Sequence, residues 1–200
     1  HPIDALGLSE GETGISKPEG KVDLEKEFKY IEEHQDEIVA IGEIGLDYYW
    51  DKDHHEEQQD VFRKILRLAV KLNKPVIIHT WAAEEDTINI LEEEIKGKVP
   101  VVLHCFGGRK SLVTKAIESG YYFSVPPSTV RTGNFNTKIK KIPMKQLLTE
   151  TDAPWQGHLK GERNEPACVL ETVKKIAEIK EISVEEAAEQ IWNNYEKVFL

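Results

Sequence analysis

Cysteine is nearly absent from this chain, with only Cys105 and Cys168 in 200 residues. So few thiols exclude a disulfide framework and suit a reducing, cytoplasmic setting. Long hydrophobic runs are missing too. None approaches the roughly 18 residues of a membrane span, so no membrane association is expected. His1 to Gly14 have neither a basic leader nor an apolar stretch, which leaves no secretory signal to read there. Internal repeats and low-complexity linkers are also lacking, which excludes a solenoid or a string of tethered modules. The chain does not start with Met but opens on His1-Pro2, which predicts that the natural N-terminus lies outside it. What is present is an ordinary globular composition, 40% hydrophobic and 31% charged. That suits one domain over residues 1–200, with enough chain to bury a core.

Positive charge is in deficit overall. There are 26 Lys and Arg against 36 Asp and Glu, a net charge of −10, which taken alone argues against a nucleic-acid partner. Its distribution argues otherwise. Between Ile95 and Thr149 there is one acid, Glu118, against ten bases: Lys96, Lys98, Arg109, Lys110, Lys115, Arg131, Lys138, Lys140, Lys141 and Lys145. Asymmetry of this kind points to an anionic ligand near the middle segment, or else to a solvated basic face.

Hydrophobic patterning alternates between two periods. Asp23 is placed to cap a helix carrying Leu24, Phe28 and Ile31 on one face. Ile38 to Glu43 reads as a strand. A long helix follows with Val61, Phe62, Ile65, Leu66, Ala69 and Leu72 on one stripe. Pro75 to His79 is a second strand, Glu84 to Ile95 a helix, and Val99 to His104 a third strand. Lys110 to Ser119 is a helix closed by Gly120. Tyr121 to Val125 and Gln146 to Asp152 complete the strands. Two helices finish the chain, one from Pro166 and one from Ser183, where Glu186 completes a capping box. Strands that are apolar on both faces and alternate with helices imply a parallel sheet with helical crossovers. A doubly wound open sheet and a (β/α) barrel both fit. The five strands fall short of the eight of a closed barrel, as expected if the first strands lie outside this chain.

Chemistry is concentrated where the strands end. Four apolar runs terminate in ligand-type residues: Glu43 after AIG, His79 after VII, His104 after VVL, and Asp152 after LLTET. One such residue is more often a rim or capping side chain than a ligand. Four of five strand ends together are a different matter, because the strand C-termini of a parallel barrel open on one face and converge on its axis. Two imidazoles and two carboxylates form a mixed nitrogen and oxygen donor set, suited to Zn, Mn, Fe or Ni, and to Mg less naturally.

Five ordered motifs carry a family resemblance: Gly42-Glu43-Ile44-Gly45-Leu46-Asp47-Tyr48, Pro75-Val76-Ile77-Ile78-His79-Thr80, Leu103-His104-Cys105-Phe106-Gly107-Gly108, Leu148-Thr149-Glu150-Thr151-Asp152-Ala153-Pro154 and Arg163-Asn164-Glu165-Pro166. The chain resembles the TatD family of metal-dependent deoxyribonucleases along its whole length. The resemblance implies a (β/α)8 TIM-barrel fold and a hydrolase that cuts DNA phosphodiester bonds with a metal-activated water. It implies Glu43, His79, His104 and Asp152 as ligands for one or two divalent metal ions (Zn, Mn, Mg, Ni or Fe), with Asp152 also catalytic as the proton acceptor. His1 is similar to a histidine that ends the family's third strand near the active site. Arg163 is then a candidate phosphate clamp with Asn164 as a donor beside it, so that His1, Arg163 and Asn164 are the expected substrate-binding residues. Glu150, two residues before Asp152, lines the pocket or fixes the tautomer of a ligating His. Arg109, Lys110 and Arg131 could meet flanking phosphates, and Trp81 or Trp155 could stack on an unpaired base. No reader of base sequence is recognisable, so the expected partner is DNA, as single strands or ends, without sequence specificity. There are departures: the family's first-strand His-x-His pair is absent, Gly107 stands where many relatives have Ser, and Trp155 where Tyr is usual. His54-His55 reads as solvated, His34 and His158 lack a pattern, and Cys105 reads as core packing. Two other readings remain open: an amidohydrolase or lactonase on a related barrel, and an inactive fragment.

Overall fold

The structure, a computed structural model, describes residues 1–8, 20–133 and 135–200. The described chain forms two compact units, His1–Val101 and Val102–Leu200.

In the first unit, helices α1 (Pro2–Ala5) and α2 (Leu24–Glu33) precede strand β1 (Ile41–Asp47). Helix α3 (His55–Leu72), strand β2 (Val76–Trp81) and helix α4 (Glu84–Glu94) follow. β1 and β2 run parallel, with Ile44 opposite Ile78, Gly45 opposite His79 and Asp47 opposite Trp81. Parallel neighbours need a long crossover, and α3 is that crossover. It buries Val61, Phe62, Leu66 and Ala69, a stripe with helical spacing. Leu46, Ile78, Ile88 and Leu91 are likewise fully buried. Each such side chain contributes roughly 1.5–3 kcal/mol through its removal from water. Asp23 caps α2 as expected, accepting the backbone N–H of Lys26 at 3.2 Å.

β1 differs from the expected span of Ile38 to Glu43. It starts later and runs on to Asp47, so Glu43 lies in the strand body. Two interactions extend it. Gln58 on α3 accepts the backbone N–H of Asp47 at 2.8 Å and donates to its carbonyl at 2.9 Å, which holds the strand end in place. Gly45 lets the two strands close up: at φ +144° any Cβ would lie 1.9 Å from the carbonyl oxygen of His79. β2 also outruns its expected end at His79, reaching Trp81.

The second unit takes up the chain from the second residue of β3 (Val101–His104); β3, β4 (Tyr122–Val125) and β5 (Leu147–Thr149) form a parallel ladder, with Leu103 opposite Phe123 and Ser124 opposite Leu148. Helix α5 (Lys110–Glu118) joins the first two strands. The short helices α6 (Thr129–Thr132) and α7 (Asn136–Lys141) lie between the next pair. Helix α8 (Val169–Lys180) follows a 3-10 turn at Pro166–Cys168, and helix α9 (Val184–Phe199) ends the chain behind the expected capping box of Ser183 and Glu186. Asn194 on α9 donates to the carbonyls of Met144 and Leu147, both at 2.7 Å, and so ties the last helix to the start of β5. β5 is shorter than expected. Gln146 belongs to a 3-10 turn, and Asp152 lies in the loop beyond the strand with φ +56°. Among the described residues no helix is long and apolar enough to cross a membrane.

Candidate metal centre

The first unit gathers ligand-type groups around His79. On β1, residues 43, 45 and 47 alternate onto one side, with glycine in the middle. His79 sits between the two acids: Nδ1 is 2.7 Å from Glu43 Oε1, and Nε2 is 3.0 Å from Asp47 Oδ2. Carboxylates only accept, so this clamp favours the ring with both nitrogens protonated. Burial opposes the charged ring. Hydrogen bonds to Asp47 and Glu43, with their negative charge, outweigh it and raise the pKa above the usual 6.5. His1 completes the group. Its Nε2 is 4.0 Å from Asp47 Oδ2, and its ring packs edge to face on His79 with centroids 4.3 Å apart. One ligand atom each from His1, Asp47 and His79 lie within 4.8 Å of one another. Imidazole and carboxylate donors gathered this closely are a mixed set of the kind that would suit a divalent ion. Binding there would release the proton that His79 holds.

Asp47 was not expected from the sequence. Its side chain is fully buried. Oδ2 faces the histidines, while Oδ1 accepts the backbone N–H groups of Tyr49 at 3.0 Å and Trp50 at 2.9 Å. The period-two spacing from Glu43 was the available signal. The apolar run that marks the strand in the sequence stops at Glu43, four residues short of the strand end.

The second unit builds its cluster on Glu150, just past β5. Glu150 Oε2 accepts from His104 Nδ1 at 2.5 Å and from the Ser124 hydroxyl on β4 at 2.5 Å. Oε1 accepts the backbone N–H of Cys105 at 3.0 Å. A proton fixed on Nδ1 makes Nε2 the lone-pair nitrogen of His104, the arrangement that ligating histidines use. Ser124 is a further member that the sequence reading missed, since a serine inside an apolar strand carries no pattern. Cys105 departs from its expected place in the core. It is half-buried with φ +42°, a turn that delivers its N–H to Glu150. Asp152, two residues past Glu150, also takes the left-handed conformation, which costs strain and concentrates at functional sites.

Asn164 holds the Asp152 loop. Its amide donates to the carbonyls of Thr151 at 2.6 Å and Trp155 at 2.5 Å, and its oxygen accepts the N–H of Glu165 at 3.0 Å. The side chain is buried, and its amide donation to two backbone carbonyls fixes the loop beside Arg163. Arg163 itself is exposed, with no ion pair among the described residues, neither to Glu162 nor to Glu165. Arg109 and Arg131 are exposed but partly engaged, donating to Ser111 Oγ at 3.1 Å and to the Gly157 carbonyl at 2.9 Å. His54 pairs with Asp51 at 2.9 Å, and His55 stacks on Tyr48, so neither is simply solvated.

The family model described as TatD related DNase matches residues 1–200. A human protein named Deoxyribonuclease TATDN3 is 36% identical over 203 residues, covering 100% of this chain and 72% of its own length. A protein of Bacillus subtilis (strain 168) named as the uncharacterized metal-dependent hydrolase YabD is 35% identical, covering 100% and 74%. Among solved structures, the TATD homolog YJJV of Escherichia coli k12 superposes with a TM-score of 0.81 at 28% identity, covering 88% of this chain and 69% of that one. A TatD family hydrolase of Entamoeba histolytica gives 0.79 at 24%, covering 88% and 68%. Their fold is the (β/α)8 barrel, and this chain shares that fold class. The chain belongs to the TatD-related DNase family.

Proposed function

We propose that this chain is a metal-dependent hydrolase that cleaves DNA phosphodiester bonds, acting on single strands or ends without regard to base sequence. The observation that carries this reading is the His104–Glu150 pair. A carboxylate that fixes Nδ1–H on a strand-end histidine prepares Nε2 to bind a metal. Glu43, His79, His104 and Asp152 are the proposed ligands, with His1 and Asp47 beside His79. Divalent metal, bound by such residues, would supply Lewis acidity that lowers the pKa of water toward neutral and counters charge on the phosphoryl oxygens. The residues of the chain do the rest. The oxygen of water bonds to phosphorus as the ester bond to the leaving oxygen breaks. Asp152 takes the proton of the attacking water and returns it to the leaving oxygen. Its loop is held for this by Asn164. Arg163, exposed and without an ion pair among the described residues, binds phosphate through its planar guanidinium. Glu150 keeps His104 in one tautomer throughout. Cys105 and Cys168 form no disulfide, which suits a cytoplasmic protein.

The test is cleavage of a single-stranded oligonucleotide by protein stripped with a chelator and then given back Mn²⁺, Mg²⁺ or Zn²⁺. Products should appear only after a metal is restored. Folded, metal-loaded protein that leaves DNA intact but opens a lactone or an amide would replace this reading with the amidohydrolase one.

A further inference from the structure

The turn after β1 and the end of β2 carry three large aromatic side chains that the proposed metal chemistry does not use. Tyr49 and Trp81 stack face to face, with centroids 4.3 Å apart and planes 8° from parallel. Trp50 stands edge-on to both, 5.2 Å from Tyr49 at 89° and 6.1 Å from Trp81 at 84°. All three are exposed, at 49%, 66% and 45% for Tyr49, Trp50 and Trp81. A contiguous exposed aromatic surface of this kind marks a place where something binds.

The cluster is pinned in place. The backbone N–H groups of Tyr49 and Trp50 both donate to Asp47 Oδ1, and the N–H of Tyr48 donates to the Trp81 carbonyl at 2.9 Å. The carboxylate that orients the two ring-bearing residues is therefore the one whose other oxygen holds His79. Trp81 also follows His79 by two residues on β2, which puts the two side chains on one face of the strand. The rings thus share both a strand face and an anchoring carboxylate with a proposed metal ligand.

Taking the nuclease reading as given, we infer that Tyr49, Trp50 and Trp81 form a stacking platform for an unpaired base beside the scissile phosphate. The two tryptophans meet near a right angle, so a base lying flat on one ring meets the other along its edge. Aromatic faces accept any base, which matches a nuclease without sequence preference. Paired bases inside a duplex present no free face. The platform therefore selects single strands and frayed ends.

Two measurements test this. The first is quenching of tryptophan fluorescence by a short oligothymidylate at low salt with EDTA present, so that binding is read without turnover. The second is KM and kcat, with metal, on a single-stranded oligonucleotide and on the same strand with an abasic residue next to the cut. The variants are Trp50→Leu with Trp81→Leu, and Trp81→Phe. Loss of stacking should weaken binding and raise KM for the normal strand about ten- to a hundred-fold in the double variant. The abasic strand should be poor already for the unmodified protein and barely move. Trp81→Phe, which keeps an aromatic face, should stay within about threefold of the parent. An equal KM change on both strands would overturn the inference, as would Trp81→Phe behaving like the leucine variant. If the double variant does not fold, the Phe variant and the abasic comparison still decide. If the unmodified protein cuts no DNA, the nuclease reading fails, and the quenching experiment alone judges the platform: no quenching refutes it. Loss of self-association in the double variant with unchanged KM for the normal strand would assign the patch to a second copy of the chain and overturn the base platform.

Discussion

Replacing Glu150 with Gln removes one charge and leaves the shape, and three contacts fix the consequence. The carboxylate accepts from His104 Nδ1, the Ser124 hydroxyl and the Cys105 N–H. Glutamine has only one acceptor oxygen. If that oxygen faces Cys105, the amide N–H₂ faces His104 and favours the tautomer with the proton on Nε2, the nitrogen meant for the metal. If the oxygen faces His104, the amide opposes the Cys105 N–H and leaves a half-buried donor unpaired. Either way at least one charge-assisted bond is lost, of a kind worth about 1.5–3 kcal/mol. Loss of such a partner behind a ligating histidine weakens metal binding roughly 10- to 100-fold, which is about 1.4–2.7 kcal/mol. The assay is competition between the protein and a chromophoric chelator for Zn²⁺ or Mn²⁺, with thermal melting as a check on folding. Glu150→Gln should lose metal affinity in that range while still melting cooperatively. Unchanged affinity in a folded variant would refute the claim that Glu150 prepares His104.

Three further outcomes follow from the same structure. Asn164→Ala removes three hydrogen bonds from the Asp152 loop and should cost roughly 2–3 kcal/mol, a melting decrease of about 5–10 °C, with kcat falling more than KM rises. Arg163→Ala should raise KM for DNA and lower the slope of log KM against log salt by about one, read from kinetics at several salt concentrations. Tyr48, pushed up to about 12 by burial and by Asp86 against the opposing hydrogen bond from Gln59, holds its proton more tightly folded than unfolded. Stability should therefore fall as pH rises from 10 toward about 12, and Tyr48→Phe should flatten that fall in denaturant titrations.

Much of this was legible in the sequence because it is local. A cap such as Asp23, or the Ser183 and Glu186 box, needs only neighbours in the chain. Glu43, His79 and His104 stood out because each follows an apolar run, and the structure sets each against a partner. What escaped depended on distant contacts. Asp47 is kept in β1 by an amide on α3, eleven residues away, and no pattern announces that bond. Glu150 could be suspected from its spacing to Asp152, but its partners Ser124 and His104 come from two other strands. Asn164 is a case of the same kind. Beside Arg163 it looks like a second phosphate donor, and only the fold of the loop shows its amide spent on Thr151 and Trp155.

The central claim is that residues of this chain carry metal-dependent hydrolysis of DNA, with Asp152 handling the proton. The most direct measurement is turnover of end-labelled single-stranded DNA with saturating Mn²⁺, comparing the protein with Asp152→Asn. The account predicts metal-dependent cleavage that falls by about 10²- to 10⁴-fold in the variant, while the variant still folds and still binds the strand. Turnover by Asp152→Asn within about tenfold of the unmodified protein would contradict it.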